Sequence, residues 1–146
     1  MSYFAFIDAS NMTDPRAALL CARLHLRNGK RHLEKGFSSR GMVTLYDAVL
    51  FGMHYYIAKH KRCASLVENI DLWDAAGLFH VLSRAGVFDD PQAFNRFSRM
   101  VERALWQESF SFDEDKVLVE VEKMLSKLGV MPFNEAILQS ELMAAC

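Results

Sequence analysis

The chain is poor in the residues that punctuate β-structure or staple a small fold. Three prolines and seven glycines in 146 residues leave little material for the closely spaced turns of a sandwich or barrel. Cys21, Cys63 and Cys146 are odd in number, scattered, and form no Cys-x-x-Cys pair. That usage argues against a disulfide framework and reads as reduced and intracellular. An excess of one charge is also missing. The formal net charge is −1, so no global field steers the chain toward nucleic acid or a membrane. No run approaches the roughly 20 apolar residues of a membrane span. Met1 to Asn11 lacks a basic start and carries Asp8 inside its apolar run, so it is not read as a signal peptide. A cytoplasmic location away from the membrane is the expectation.

Catalytic signatures are missing too. There is no His-Glu-x-x-His, no Glu-x-x-His pair, no Gly-x-Ser-x-Gly, no phosphate loop and no dinucleotide fingerprint. His25 and His32 are two turns apart on one helix face, while His54 and His60 do not share a face. Neither arrangement supplies a ligand set, so no metal, cofactor or catalytic residue is assigned. Glu114, Asp115, Glu120 and Glu122 interleave with Lys116 and Lys123 as on a solvated helix face.

What is present is helical patterning in a chain that is 51% hydrophobic and long enough for one domain with a real core. Eleven phenylalanines and eight methionines suit an adaptable, aromatic core or an apolar partner surface. After an apolar arm over residues 1–12, Asp14-Pro15 supplies a cap and a first-turn proline. A long helix is expected to about Lys35, with Leu19, Ala22, Leu26, Gly29 and Leu33 on one face. Gly29 costs about 1 kcal/mol of helix propensity relative to alanine, which a close helix approach would explain. Gly36 ends this helix in the left-handed conformation.

A second long helix is expected from Ser38 or Ser39 to about His60. It is apolar on two sides, with Met42, Tyr46, Val49, Met53 and Tyr56 on one and Val43, Leu50 and Ile57 on the other, so it should be central. The core is expected to be densest around Tyr46, Val49, Leu50 and Met53, and Asp47 and His54 then need partners. A third helix is expected from about Asp71 to Ala85, burying Leu72, Trp73, Ala76, Phe79 and Leu82. A fourth follows Asp90-Pro91 to about Gln107, with Phe94, Phe97, Val101, Ala104 and Leu105 inward. Ser111 and Glu114 form a capping box for a fifth, which buries Val117, Val121, Met124, Leu125 and Leu128 and ends at Gly129. Residues 131–146 hold a last amphipathic segment with Ile137, Leu138, Leu142 and Met143. The expected fold is one all-α domain over residues 1–146, an up-and-down bundle of about five helices.

Arg16, Arg23, Arg27, Lys30 and Arg31 make a basic outer face on the first helix, which Lys59, Lys61 and Arg62 extend. Arginine forks match phosphate geometry, so Arg23, Arg27, Lys30 and Arg31 are candidate phosphate or RNA contacts.

The run Arg16 to Lys30, followed by Gly36-Phe-Ser-Ser-Arg-Gly-Met-Val-Thr-Leu-Tyr46-Asp-Ala48, resembles the opening hairpin of HEPN-domain proteins. Phe112 to Leu125 is similar to that family's closing helix. The resemblance covers most of Pro15 to Leu128 as a pattern of helix lengths and small residues. It implies a compact helical bundle, often a homodimer, and in many members a ribonuclease, some of them toxins paired with a nucleotidyltransferase-like antitoxin. Active members carry Arg, four to six residues, then His before the closing helix. Arg103 matches the arginine and adds a candidate phosphate contact, but Gln107 and Glu108 stand near the histidine position. Glutamine has no titrating group for acid–base work at neutral pH. The resemblance therefore implies a non-catalytic, HEPN-like member, expected as a homodimer, that binds protein, RNA or a nucleotide, with a HEPN-type ribonuclease as the alternative. A tetratricopeptide-like hairpin protein is the other alternative, although only one hairpin fits a repeat that needs about three to be stable.

Overall fold

The computed structural model describes residues 14–107 and 111–145. Asp14 Oδ1 accepts from the Arg16 N–H at 2.9 Å and Pro15 takes the first helical position, so α1 (Pro15–Glu34) begins on the expected signal. The helices that follow are α2 (Ser38–Lys59), α3 (Ala75–Arg84), α4 (Ala93–Trp106), α5 (Glu114–Lys127) and α6 (Glu135–Ala145), with 3₁₀ turns at Lys61–Cys63 and Ser65–Val67. There is no strand among the described residues. The fold is all-α as expected, and the C-terminal segment forms a full sixth helix rather than an appendage. The arm expected over residues 1–12 lies outside the described residues.

α1 and α2 form the most extensive pairing, and α2 also touches α3, α4 and α5. Its central place follows from its composition, since Met42, Leu45, Ala48, Val49, Phe51 and Met53 are all fully buried. Val49, Leu50 and Met53 lie at the heart of the core as expected. Tyr46 is only half-buried, with its ring 5.5 Å from Phe94 and 6.4 Å from Phe97. Phe79, Phe88 and Phe94 continue this aromatic layer between α3 and α4.

Three boundaries differ from the sequence reading, and at α3 and α5 the reason is that a nearby carboxylate wins the capping role. α3 starts at Ala75, not Asp71, because Asp74 Oδ1 accepts from the Gly77 N–H at 3.0 Å. Asp71 instead closes a turn on the Trp73 N–H, which leaves Leu72 and Trp73 outside the helix, 37% and 51% exposed. α4 starts two residues after Pro91, since Asp90 turns the chain by accepting from the Gln92 N–H. α5 is capped by Asp113, which accepts from the Lys116 N–H at 3.2 Å, in place of the Ser111–Glu114 box.

Candidate binding end

α1 presents its cations to α5 and α6, whose acidic residues face it. Arg23 donates from Nη1 to Glu141 Oε2 at 2.8 Å and from Nε to the Val130 carbonyl at 3.1 Å, with its guanidinium 5.2 Å from the Phe133 ring centre. Arg27 donates to Glu135 at 2.8 Å, Arg31 lies 3.7 Å from the same carboxylate, and Lys30 donates to Glu122 at 2.8 Å. The four candidate phosphate contacts on α1 are thus brought together on one face, and each has an intramolecular carboxylate partner. The Arg23 and Arg27 side chains are only 12% and 16% exposed, which makes them packing elements as much as charges. α6 is held to α1 by these pairs and by Leu138, which is fully buried, while Ile137 and Met143 stay exposed.

Arg103, the fifth candidate, is exposed in the last turn of α4. That turn forms one wall of a cleft of about 420 Å³ through Ala104, Leu105, Trp106 and Gln107; Gly36, Ser38 and Ser39 from the α1–α2 turn form the other. Gly36 has φ of 83°, the left-handed conformation that favours glycine, and this reverses the chain against the end of α4. Ser39 ties the walls together by donating from Oγ to the Ala104 carbonyl at 2.7 Å.

The cleft carries an apolar rim that the sequence did not announce. Leu105, expected inward, is 47% exposed and Trp106 is 83% exposed, while Phe37, between the lining residues Gly36 and Ser38 in sequence, is 49% exposed. The buried positions of α4 end at Ala104, and the next residues are carried about 100° further around the helix with each step, off the core face. Arg40 sits over the Phe37 ring at 5.3 Å, and the His32 ring lies 6.4 Å from it on the other helix. The pKa of His32 is lowered by desolvation, then by the charges of Arg40 and Lys35.

The buried titratable groups do not converge on a reactive site. Burial pushes the Cys21 thiol up to about 12, which keeps it protonated and unreactive at neutral pH. His25 donates from Nδ1 to the Cys21 carbonyl at 2.7 Å. His54 donates from Nε2 to the Leu72 carbonyl and packs edge-on to Phe51 and Trp73, which pins the α2–α3 connection. Desolvation raises the pKa of Asp47, with His25 opposing it. Among the described residues no cluster of three or more His, Cys, Asp or Glu is placed to hold a metal ion. No described helix is long and apolar enough to cross a membrane. Comparison of the chain with protein-family models, curated proteins and solved structures finds no match.

Proposed function

We propose that this chain is a non-catalytic, HEPN-like helical module that binds a partner protein through the cleft between the α1–α2 turn and the end of α4. The observation that supports this reading is Trp106, 83% exposed, which lines the cleft together with the exposed Leu105. Exposed tryptophan beside arginine is the composition of an interface anchor, because both bury large contact areas and still offer polar edges. Gln107, at the histidine position of the family pattern, lines the same cleft. An amide there can hydrogen bond but cannot exchange a proton at neutral pH, which favours binding over RNA hydrolysis.

Two measurements test the reading. Purified protein incubated with mixed RNA is expected to leave it intact; cleavage that disappears in Arg103→Ala would establish the ribonuclease alternative. A protein recovered with the native chain from its source cells is expected to be lost with Trp106→Ala or Phe37→Ala. It is expected to persist with Val119→Ala, a change at a half-exposed position on α5. Equal recovery with all three variants would remove the cleft as the binding end.

A further inference from the structure

We propose that α6 is a latch closed over a stripe of three arginines on α1, and that a multivalent phosphate anion opens it by taking the same arginines. The inference stands on α1 and α6 and does not depend on the cleft.

The stripe is built by spacing. Arg23, Arg27 and Arg31 recur at four-residue steps and share one face of α1. At 1.5 Å per residue they span about 12 Å. Glu141 pairs with Arg23 at 2.8 Å, and Glu135 serves both Arg27 at 2.8 Å and Arg31 at 3.7 Å. Two carboxylates therefore cover three guanidinium groups. The match is imperfect in a second way, since Glu141 Oε1 is buried without a hydrogen-bond partner among the described residues. Glu34, three residues beyond Arg31, does not complete the count, because it forms no ion pair among the described residues.

Burial secures α6 less than the other helices. Leu138 is its one buried side chain among those described, and it lies outside the continuous core that the other helices share. The preceding helix, α5, buries Val117, Val121, Met124 and Leu125 in that core. An isolated helix of 11 residues is marginal in water, so α6 depends on its docking to stay helical. Partly exposed ion pairs each add little and weaken with salt. These are the features of the unit that opens first in a folded protein.

The stripe keeps its order when α6 leaves. Arg23 Nε donates to the Val130 carbonyl at 3.1 Å and its guanidinium rests 5.2 Å from the Phe133 ring centre, both of which precede α6. Arg27 Nε donates to Asn28 Oδ1 at 3.3 Å. Guanidinium groups held in place match phosphate oxygens with paired N–H bonds. A phosphate oligoanion can bring one charged group to each arginine, which the two carboxylates of α6 do not. While α6 is closed, the apparent affinity of the stripe is reduced to the open fraction of the molecules.

Hydrogen exchange of the full chain, read by mass spectrometry over residues 135–145, tests the latch. The α6 amides are expected to exchange faster than those of α5. Inorganic tripolyphosphate should speed them further, and more than sodium chloride at the same ionic strength. Glu135→Gln combined with Glu141→Gln removes the latch charges and should tighten tripolyphosphate binding roughly tenfold in a calorimetric titration. Arg27→Gln should weaken it by a similar factor, with the circular dichroism of the bundle retained. A short oligodeoxynucleotide in a parallel titration tells a phosphodiester backbone from a free phosphate chain, and opening by either supports the stripe. Exchange in α6 no faster than in α5, opening by neither anion beyond the chloride control, or no gain in affinity from the glutamine pair would overturn the proposal and leave α6 a fixed part of the bundle.

Discussion

Gly29 and Gly41 face each other where α1 crosses α2, each one making room for a leucine of the opposite helix. A Cβ built on Gly29 would stand 2.7 Å from Leu45 Cδ2 and 3.3 Å from the Gly41 carbonyl; one built on Gly41 would stand 2.7 Å from Leu33 Cδ2 and 3.2 Å from the Gly29 carbonyl. The backbones come close here, so Leu33 and Leu45 lock the hairpin from both sides.

Gly29→Ala is accordingly expected to destabilise the protein. Alanine gains about 1 kcal/mol of helix propensity, and overpacking costs about 1–3 kcal/mol, so a net loss of about 1 kcal/mol is the central expectation. Urea unfolding measures it. A stabilised variant would show that Leu45 moves aside freely and that the crossing is not tight.

Arg23 and Glu141 tie α6 to α1. Their side chains are 12% and 26% exposed, so solvent screens the pair only in part. The second oxygen of Glu141 is buried without a hydrogen-bond partner among the described residues, which offsets some of the gain. A double-mutant cycle with Arg23→Ala and Glu141→Ala is expected to give a coupling of about 1 kcal/mol. Arg23→Ala alone should cost more than Glu141→Ala, because it also removes the bond to the Val130 carbonyl and the contact with Phe133.

His54 should make stability fall on acidification. Its folded pKa is lowered from 6.5 by desolvation, with the Leu72 hydrogen bond opposing, so below 6.5 the unfolded chain binds the proton more readily. Its contribution is complete above 6.5 and is lost as pH falls from there toward the folded pKa. Asp47 acts with the opposite sign. Its folded pKa is raised, so its contribution is complete below 3.8 and is lost as pH rises through the raised value. Melting curves across pH should lose the slope just below 6.5 in His54→Leu; a slope that survives there belongs to another group.

Phe94→Ala and Trp106→Ala, both on α4, should separate core from binding surface. Phe94 is 1% exposed, and its truncation should cost about 3–5 kcal/mol. Trp106 is 83% exposed, and its truncation should change stability by less than about 0.5 kcal/mol. A large loss from Trp106→Ala would mean that the tryptophan supports the fold instead of facing a partner.

Much of this fold was legible because its signals are local. Asp14-Pro15 marks the start of α1, and Gly36, Gly86 and Gly129 end α1, α3 and α5 at positive φ. The two apolar sides of α2 announced its central place. Competition between neighbouring caps was harder to read: Asp71 and Asp74 both precede α3, and only the folded chain shows which of them accepts from the helix. The same limit placed Trp73 and Leu105 inward, since a stripe of apolar residues does not reveal where its helix leaves the core.

The candidate site divides along the same line. The sequence by itself determined that α1 has a basic face, because helical periodicity places its arginines within a few residues of one another. It could not determine what that face meets. Arg23 and Glu141 are separated by 118 residues and Lys30 and Glu122 by 92, and only the packing of α5 and α6 brings these charges together. The tertiary structure thereby turned the basic face into an internal seam and left Leu105 and Trp106 exposed at the end of α4. The physical reason is range: a helix follows from bonds four residues apart, whereas an ion pair between helices depends on how whole faces dock.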